Sequence, residues 1–259
     1  MIAIRKARPG EGVVVARRIK ESLPLSIEGL TIWHCSRVDH WVEMHLAAPG
    51  TSIFYVAADE HAEVIVAAEF RTSNDTVFLN QVGVIPSRQG EGIGRRLLAA
   101  GLRELSQREG VASLALDVET ANERADAWYR RLGLSPVSRT YWTLTAPRPR
   151  GAAPAPVRDW EQAEQAHARF GFSRFQIHTA GGLFAVGRLA DSLFRLTSDQ
   201  VWRDPAVHAA LDRIDARRRL LLISESRIGG SLIGEAQPVL QTEHLTGPIK
   251  PILAKLPTP

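Results

Sequence analysis

The stretch Ser87-Arg-Gln-Gly-Glu-Gly-Ile-Gly94 follows the apolar run Val82-Gly-Val-Ile-Pro86 and opens directly into Arg95-Arg-Leu-Leu-Ala-Ala-Gly-Leu102. Strand end, glycine turn and helix start therefore come in the order that suits an anion. Glycines at 90, 92 and 94 permit positive φ and close approach of a ligand, and the first N–H groups of a helix have no partner inside it. The helix dipole and the guanidinium groups of Arg88, Arg95 and Arg96 add positive potential, which favours a phosphate. Spacing excludes two familiar phosphate loops. A Walker loop ends Gly-Lys-Ser/Thr, whereas this turn ends Gly94-Arg95-Arg96. A dinucleotide fingerprint needs G-x-G-x-x-G in a parallel βαβ unit, and Gly90-Glu-Gly92-Ile-Gly94 is spaced differently.

A second block lies downstream as Leu116-Asp-Val-Glu-Thr-Ala-Asn122, then Glu-Arg-Ala125-Asp-Ala-Trp128-Tyr129, then Arg-Arg-Leu132-Gly133. Asn122 is a good helix N-cap, Ala125, Trp128, Tyr129 and Leu132 share one helical face, and Gly133 suits the position after the helix. Together the two blocks resemble the GNAT N-acetyltransferase superfamily. Its acetyl-CoA signature Q/R-x-x-G-x-G/A stands complete as Gln89-Gly90-Glu91-Gly92-Ile93-Gly94. The second block is similar to the family's N-x-x-A-x-x-x-Y-x-x-x-G segment, with Leu134 where a Phe is common. The resemblance implies that the amides of Gly90 through Arg95 hold the diphosphate of CoA, that Val82 and Val84 pair with its pantetheine arm, and that Asn122 contacts the cosubstrate. It further implies that Tyr129 protonates the departing thiolate.

The chemistry explains these residue types. A neutral amine attacking a thioester creates an oxyanion and then a thiolate. The site therefore needs a donor for oxygen, an acid for sulfur and a route for the amine proton. The N–H near Val84 serves as the donor. A phenol is protonated at neutral pH and can give its proton to sulfur. Asp117 stands five residues before Asn122, where amino-terminus-acetylating relatives carry a Glu that works through water; Glu119, Glu69 and Glu43 compete with it for the role of base. Each residue alone also has a plainer reading: Tyr129 as a core aromatic, Asn122 as a cap, Asp117 as a strand-end charge.

The segment Trp33-His34-Cys35 to His40-Trp41-Val-Glu43-Met-His45 collects histidines, a cysteine and an acid. His40 and His45 are five residues apart and do not share a helical face, so no metal site is expected. Trp33, His34 and Trp41 are candidates for acceptor contacts or for packing. Arg217-Arg218-Arg219 reads as a solvated face at a helix C-terminus.

The elements that must position these residues follow from periodicity and turn chemistry. A strand is expected at 2–6, helices at 12–22 and 38–47, three meandering strands at 52–57, 63–71 and 76–85, and a helix at 94–109. A strand at 113–118, a helix at 123–132 and a strand at 138–145 complete an α/β, GNAT-like domain over 1–146, with a mixed, mostly antiparallel sheet flanked by helices. Residues 147–157, rich in Pro and Ala, read as a linker. A smaller α+β domain of unrecognised family follows over 158–259, with helices at 158–168 and 205–216 and strands at 174–178, 183–189, 192–196 and 220–224. It has no glycine cradle. After Gly229-Gly230 the pattern fades, and Pro238, Pro248, Pro251, Pro257 and Pro259 suggest an irregular tail. No internal sequence repeat links the halves.

The 259-residue chain is 44% hydrophobic and carries a formal charge of +4, with acids and bases nearly balanced in both halves. Composition thus points away from a nucleic-acid partner. One cysteine precludes an intrachain disulfide, and no apolar run is long enough for a membrane span. A cytoplasmic, two-domain N-acetyltransferase is expected, using acetyl-CoA and a primary amine acceptor, without metal or membrane and compatible with a homodimer. A non-catalytic acyl-CoA sensor is the alternative reading, and the C-terminal domain could supply acceptor specificity or a dimer contact.

Overall fold

The computed structural model describes residues 2–48, 50–149, 151–227 and 236–257. It divides into two units: the first comprises residues 1–24, 39–139 and 242–259, and the second residues 25–38 and 140–241. The first unit contains strands Ala3–Lys6 (β1), Ser52–Ala58 (β2), Val64–Ser73 (β3), Thr76–Val84 (β4) and Ser113–Glu119 (β5), with helices Gly12–Ser22 (α1), Val38–Ala47 (α2), Ile93–Leu105 (α3) and Glu123–Leu132 (α4). Ser135–Thr145 (β6) leads into the second unit. There Val157–Arg158 (β7), Trp160–Phe170 (α5), Phe172–Thr179 (β8), Gly182–Leu189 (β9) and Leu193–Leu196 (β10) precede Asp199–Arg203 (α6), Pro205–Asp215 (α7) and Arg219–Ser224 (β11). The chain then re-enters the first unit as Gln237–Pro248 (β12) and Ile249–Ala254 (α8).

In the first unit the strand order is β1-β2-β3-β4-β5-β12. Only β4 and β5 run parallel. Both faces of this sheet are covered, which is why β2 and most of β3 are continuously buried runs rather than alternating ones. One face carries α1, which passes so close to β4 that a Cβ on Gly83 would stand 2.5 Å from the Arg18 carbonyl. The other carries α3, where a Cβ on Gly101 would stand 2.8 Å from the Phe70 ring. Leu97, Leu98, Leu102 and Leu105 of α3 pack with Phe70, Val77, Leu114, Leu116 and Leu245 into one core.

The second unit orders its strands β6-β11-β10-β9-β8-β7. Its own core gathers Phe175, Val186, Phe194, Trp202, Leu211 and Leu222. Strand, helix, three antiparallel strands, helix and a strand parallel to the third repeat the first unit's order, apart from one extra helix in each, α2 before β2 and α6 before α7, with β10 and β11 paired as β4 and β5 are. The halves therefore share a topology that sequence comparison between them did not reveal. In each unit the last strand position is filled from elsewhere in the chain: β12 pairs with β5, and residues 141–145 of β6 pair with β11.

Three expectations are revised. The proline-bearing tail is ordered over its described residues. Pro238 and Pro248 stand at the two ends of β12, and Pro251 falls in the first turn of α8, where its missing N–H removes no helical bond. The turn at Gly229-Gly230 and Pro259 lie outside the described residues. The division into units also departs from a cut at 147–157. The chain changes unit inside β6, and Ala155 is buried with its N–H on the Ala206 carbonyl at 3.0 Å. Lastly, Arg218 is no solvated face: it is 2% exposed and donates to the carbonyls of Ala190 and Leu193, while Arg217 stays in solvent.

Candidate active site

The parallel pairing of β4 with β5 stops after three residues, Thr76–Phe78 against Ser113–Ala115. The cause lies in β4 itself. Against β3, Leu79 faces Phe70 and Gln81 faces Glu69, so Asn80 is an extra residue, a β-bulge that bends the strand. The bulge also resets the side-chain alternation: Val77 and Leu79 before it, and Val82 and Val84 after it, all pack on the α3 core. Ile85 donates its N–H to Ile65 of β3 at 3.1 Å. Because strand N–H groups alternate between edges, the N–H groups of Val84 and Val82 point to the opposite edge, into the gap that opens toward β5.

The glycine turn closes the end of this gap. Gly90 and Gly92 have φ of 89° and 73°, in the left-handed region that a side chain would disfavour. A Cβ on Gly94 would meet the Val84 side chain at 3.4 Å, an ordinary van der Waals contact. Gln89 donates from Nε2 to the Val84 carbonyl at 3.2 Å and so ties the turn to the strand. Ile93 packs into the core at 1% exposure and anchors the first turn of α3. No side chain caps this helix, and its first internal donor is Arg96, whose N–H reaches Gly92 O at 3.1 Å. The N–H groups ahead of Arg96 have no carbonyl one turn back to bond.

The charges here differ from the expectation. Arg88 pairs with Glu91 at 2.7 and 2.9 Å, which neutralises it and holds the Glu91 carboxyl below the usual range. Arg95 donates to the Lys255 carbonyl at 3.2 Å. A cavity of about 390 Å³ lies between Gly92, Arg95 and Arg96 on one side and Lys255 and Leu256 on the other.

The second block is built as its residue types suggest. Asn122 Oδ1 accepts the Ala125 N–H at 3.2 Å, and Gly133 ends α4 with φ of 105°. Tyr129 is 7% exposed and belongs to the same apolar cluster as Val82, Val84 and Ile93. Burial raises its phenol pKa well above the ordinary value and so keeps it protonated.

The carboxylates separate clearly. Glu43 accepts the N–H groups of Gly10 and Gly12 at 2.6 and 2.9 Å, clamping the start of α1. Glu69 is fully buried and holds Ser52 and Arg71, both at 2.7 Å, together with Asn80 at the bulge. Glu119 closes the turn before α4, its carbonyl accepting the Asn122 N–H at 2.9 Å. Asp117 alone stands with its side chain half exposed, 53%, just past the point where β4 and β5 separate. Its partner is His244, which comes from β12, directly opposite in register: Nδ1 lies 2.8 Å from Asp117 Oδ1. The His244 ring stacks on Phe78, with centroids 6.0 Å apart and planes at 11°. His244 carried no local sequence signal, since it lies 127 residues from Asp117 in a stretch read as tail.

The early aromatic segment is divided between the units. Trp33, at 2% exposure, and Cys35 are buried in the second, and His34 Nδ1 meets Thr31 Oγ1 at 3.2 Å. Trp41, in the first, packs edge-on to Phe54 and against His45. Among the described residues no three His, Cys, Asp or Glu side chains come together as metal ligands, and no helix is long and apolar enough to cross a membrane.

Known proteins share parts of this sequence and of this fold. Residues 25–134 match the model of the acetyltransferase (GNAT) family. This segment is similar to the GNAT family, and the match does not extend into the C-terminal part. A mycothiol acetyltransferase of Mycobacterium ulcerans (strain Agy99) is 34% identical over 115 residues, 42% of this chain and 28% of that protein. One of Saccharomonospora viridis is 50% identical over 56 residues, 22% and 18%. The chain thus matches less than a third of the length of these curated relatives. A tandem GNAT protein from the clavulanic acid biosynthesis pathway has the same fold over 96% of this chain and 99% of its own, with a TM-score of 0.63 at 14% identity. A GCN5-related N-acetyltransferase of Sphaerobacter thermophilus gives 0.58 at 14% identity over 96% of both chains.

Proposed function

We propose that the protein is an acetyl-CoA-dependent N-acetyltransferase that moves the acetyl group to a primary amine by direct attack on the thioester. The observation that carries this reading is the junction of two features: the edge of β4 left unpaired by the Asn80 bulge, and the uncapped start of α3 at its end. The amides around Gly92 to Arg95 receive the diphosphate, with Gln89, Gly90, Glu91 and Ile93 shaping the turn and Arg95 and Arg96 adding charge. The donors and acceptors of Val82 and Val84 hold the pantetheine arm as an added strand would. Asn122, at the mouth of α4, borders the cosubstrate.

Three roles follow from the reaction. The Val84 N–H donates to the oxyanion, with the Val82 N–H next along the same edge. Tyr129, kept protonated by burial, gives its proton to the leaving thiolate. Asp117 is the acidic residue at the separation of the strands, placed to govern removal of the amine proton. An acceptor of the mycothiol type is supported by the name of the relatives, mycothiol acetyltransferase, and acetyl-CoA supplies the acyl group.

The test is release of CoA thiol from acetyl-CoA by the full chain with a panel of primary amines: spermidine, a lysine peptide, an aminoglycoside and a mycothiol-type amine. Thiol release well above the rate with water is expected for at least one of them. A folded protein that binds CoA yet releases no thiol with any amine contradicts the proposal and favours an acyl-CoA sensor.

A further inference from the structure

The Asp117–His244 pair lies outside the apolar cluster on the α3 side of the sheet. Leu114, Leu116, Val118 and Leu245 point to the α3 side, whereas Phe78, Asp117 and His244 share the opposite face, the one on which α1 packs. His244 is 34% exposed and Asp117 53%. Both sit where β4 and β5 part, Asp117 two residues beyond the last paired position, Ala115. A carboxylate only accepts hydrogen bonds, so the contact at 2.8 Å places the proton of a neutral His244 on Nδ1 and leaves Nε2 with its lone pair. Stacking on Phe78 fixes the ring plane. An imidazole held in one tautomer by a carboxylate, accessible to solvent and beside the unpaired strand edge, has the structure of a general base.

We infer that His244 is the catalytic base and that Asp117 is its positioning residue rather than the base itself. This rests on the acetyltransferase reading above. As the amine nitrogen bonds to the acetyl carbon and the C–S bond breaks, one proton leaves nitrogen for His244 Nε2. The thiolate takes one from Tyr129, and exchange with solvent resets both groups. The base is thus delivered by β12, so the first unit's site is completed only after the chain has traversed the second.

Two measurements on the full chain test this. The first needs no acceptor: diethylpyrocarbonate modifies unprotonated, accessible imidazole nitrogen, and mass spectrometry locates it among the eight histidines. His244 should react, and saturating acetyl-CoA should slow that reaction at least ~10-fold while His40, exposed elsewhere, reacts as before. With CoA binding established separately by calorimetry, equal rates at His244 with and without acetyl-CoA would overturn the inference while leaving the cosubstrate assignment standing. The second uses whichever amine of the panel wild type acetylates. His244→Ala should lose roughly 100-fold or more in kcat with CoA affinity unchanged. Added imidazole should restore part of the loss, and Asp117→Asn should lower kcat with CoA affinity unchanged while Asp117→Glu recovers part of it. A His244→Ala protein that is folded, binds CoA and keeps wild-type kcat would refute the role.

Discussion

The two units present the same element at the same topological place with opposite chemistry. In the first, β4 leads through Gly90 and Gly92 into α3, whose start is uncapped and flanked by Arg95 and Arg96. In the second, β10 leads through a glycine-free segment that holds the short helix α6 into α7, the helix that precedes the parallel strand β11; the start of α7 is occupied, since Asp204 Oδ1 accepts the Ala206 N–H at 2.9 Å and Pro205 removes another donor. A carboxylate already seated on a helix N-terminus satisfies the dipole and repels a phosphate. On the proposed reading, shared topology does not bring shared ligand binding, because the starts of the two helices differ.

The largest change should come from giving the first unit the second unit's chemistry. Gly92→Asp places a carboxylate at the start of α3 and a side chain at φ of 73°, and should weaken CoA binding by about 100-fold or more while the fold persists, read by calorimetry and circular dichroism. Next, Tyr129→Phe should lower kcat roughly 10- to 100-fold with the CoA Kd unchanged, because the phenol acts on sulfur and not on binding. A matching loss of affinity would mean that Tyr129 merely packs.

A smaller effect is expected in the second unit. Asp204→Ala should cost about 1 kcal/mol of stability through the lost cap and leave CoA affinity untouched, seen as a lower urea midpoint. The smallest concerns pH. Tyr129 has a raised pKa in the folded state, so its contribution to stability is complete below the unfolded value near 10 and falls as pH rises beyond it. Tyr129→Phe should therefore flatten the decline in unfolding free energy above about pH 10. An equally steep decline in the variant would show that other groups set it.

Local signals were legible in the sequence, and distant pairings were not. Asn122 and Gly133 bracket α4 because cap chemistry acts within a few residues, and the glycine turn announces a helix start for the same reason. The bulge at Asn80 left no trace, since it exists only in the register of β4 against β3. The prolines of the tail have the look of breakers in the sequence, although strand ends and a first helical turn tolerate them. Nothing local could bring His244 to Asp117, for that contact is set by β12 pairing with β5 across more than a hundred residues. The repeated topology was hidden likewise, because two cores of different residues can build one arrangement of strands and helices.

The central claim is that the start of α3 is a socket for the diphosphate of coenzyme A. Titration calorimetry of CoA into the intact chain and into its Gly92→Asp variant tests it most directly. Saturable binding by the first, weakened at least ~100-fold in the second, is the expected result. A folded wild-type chain that takes up no CoA, or a variant that binds it equally well, would contradict the account.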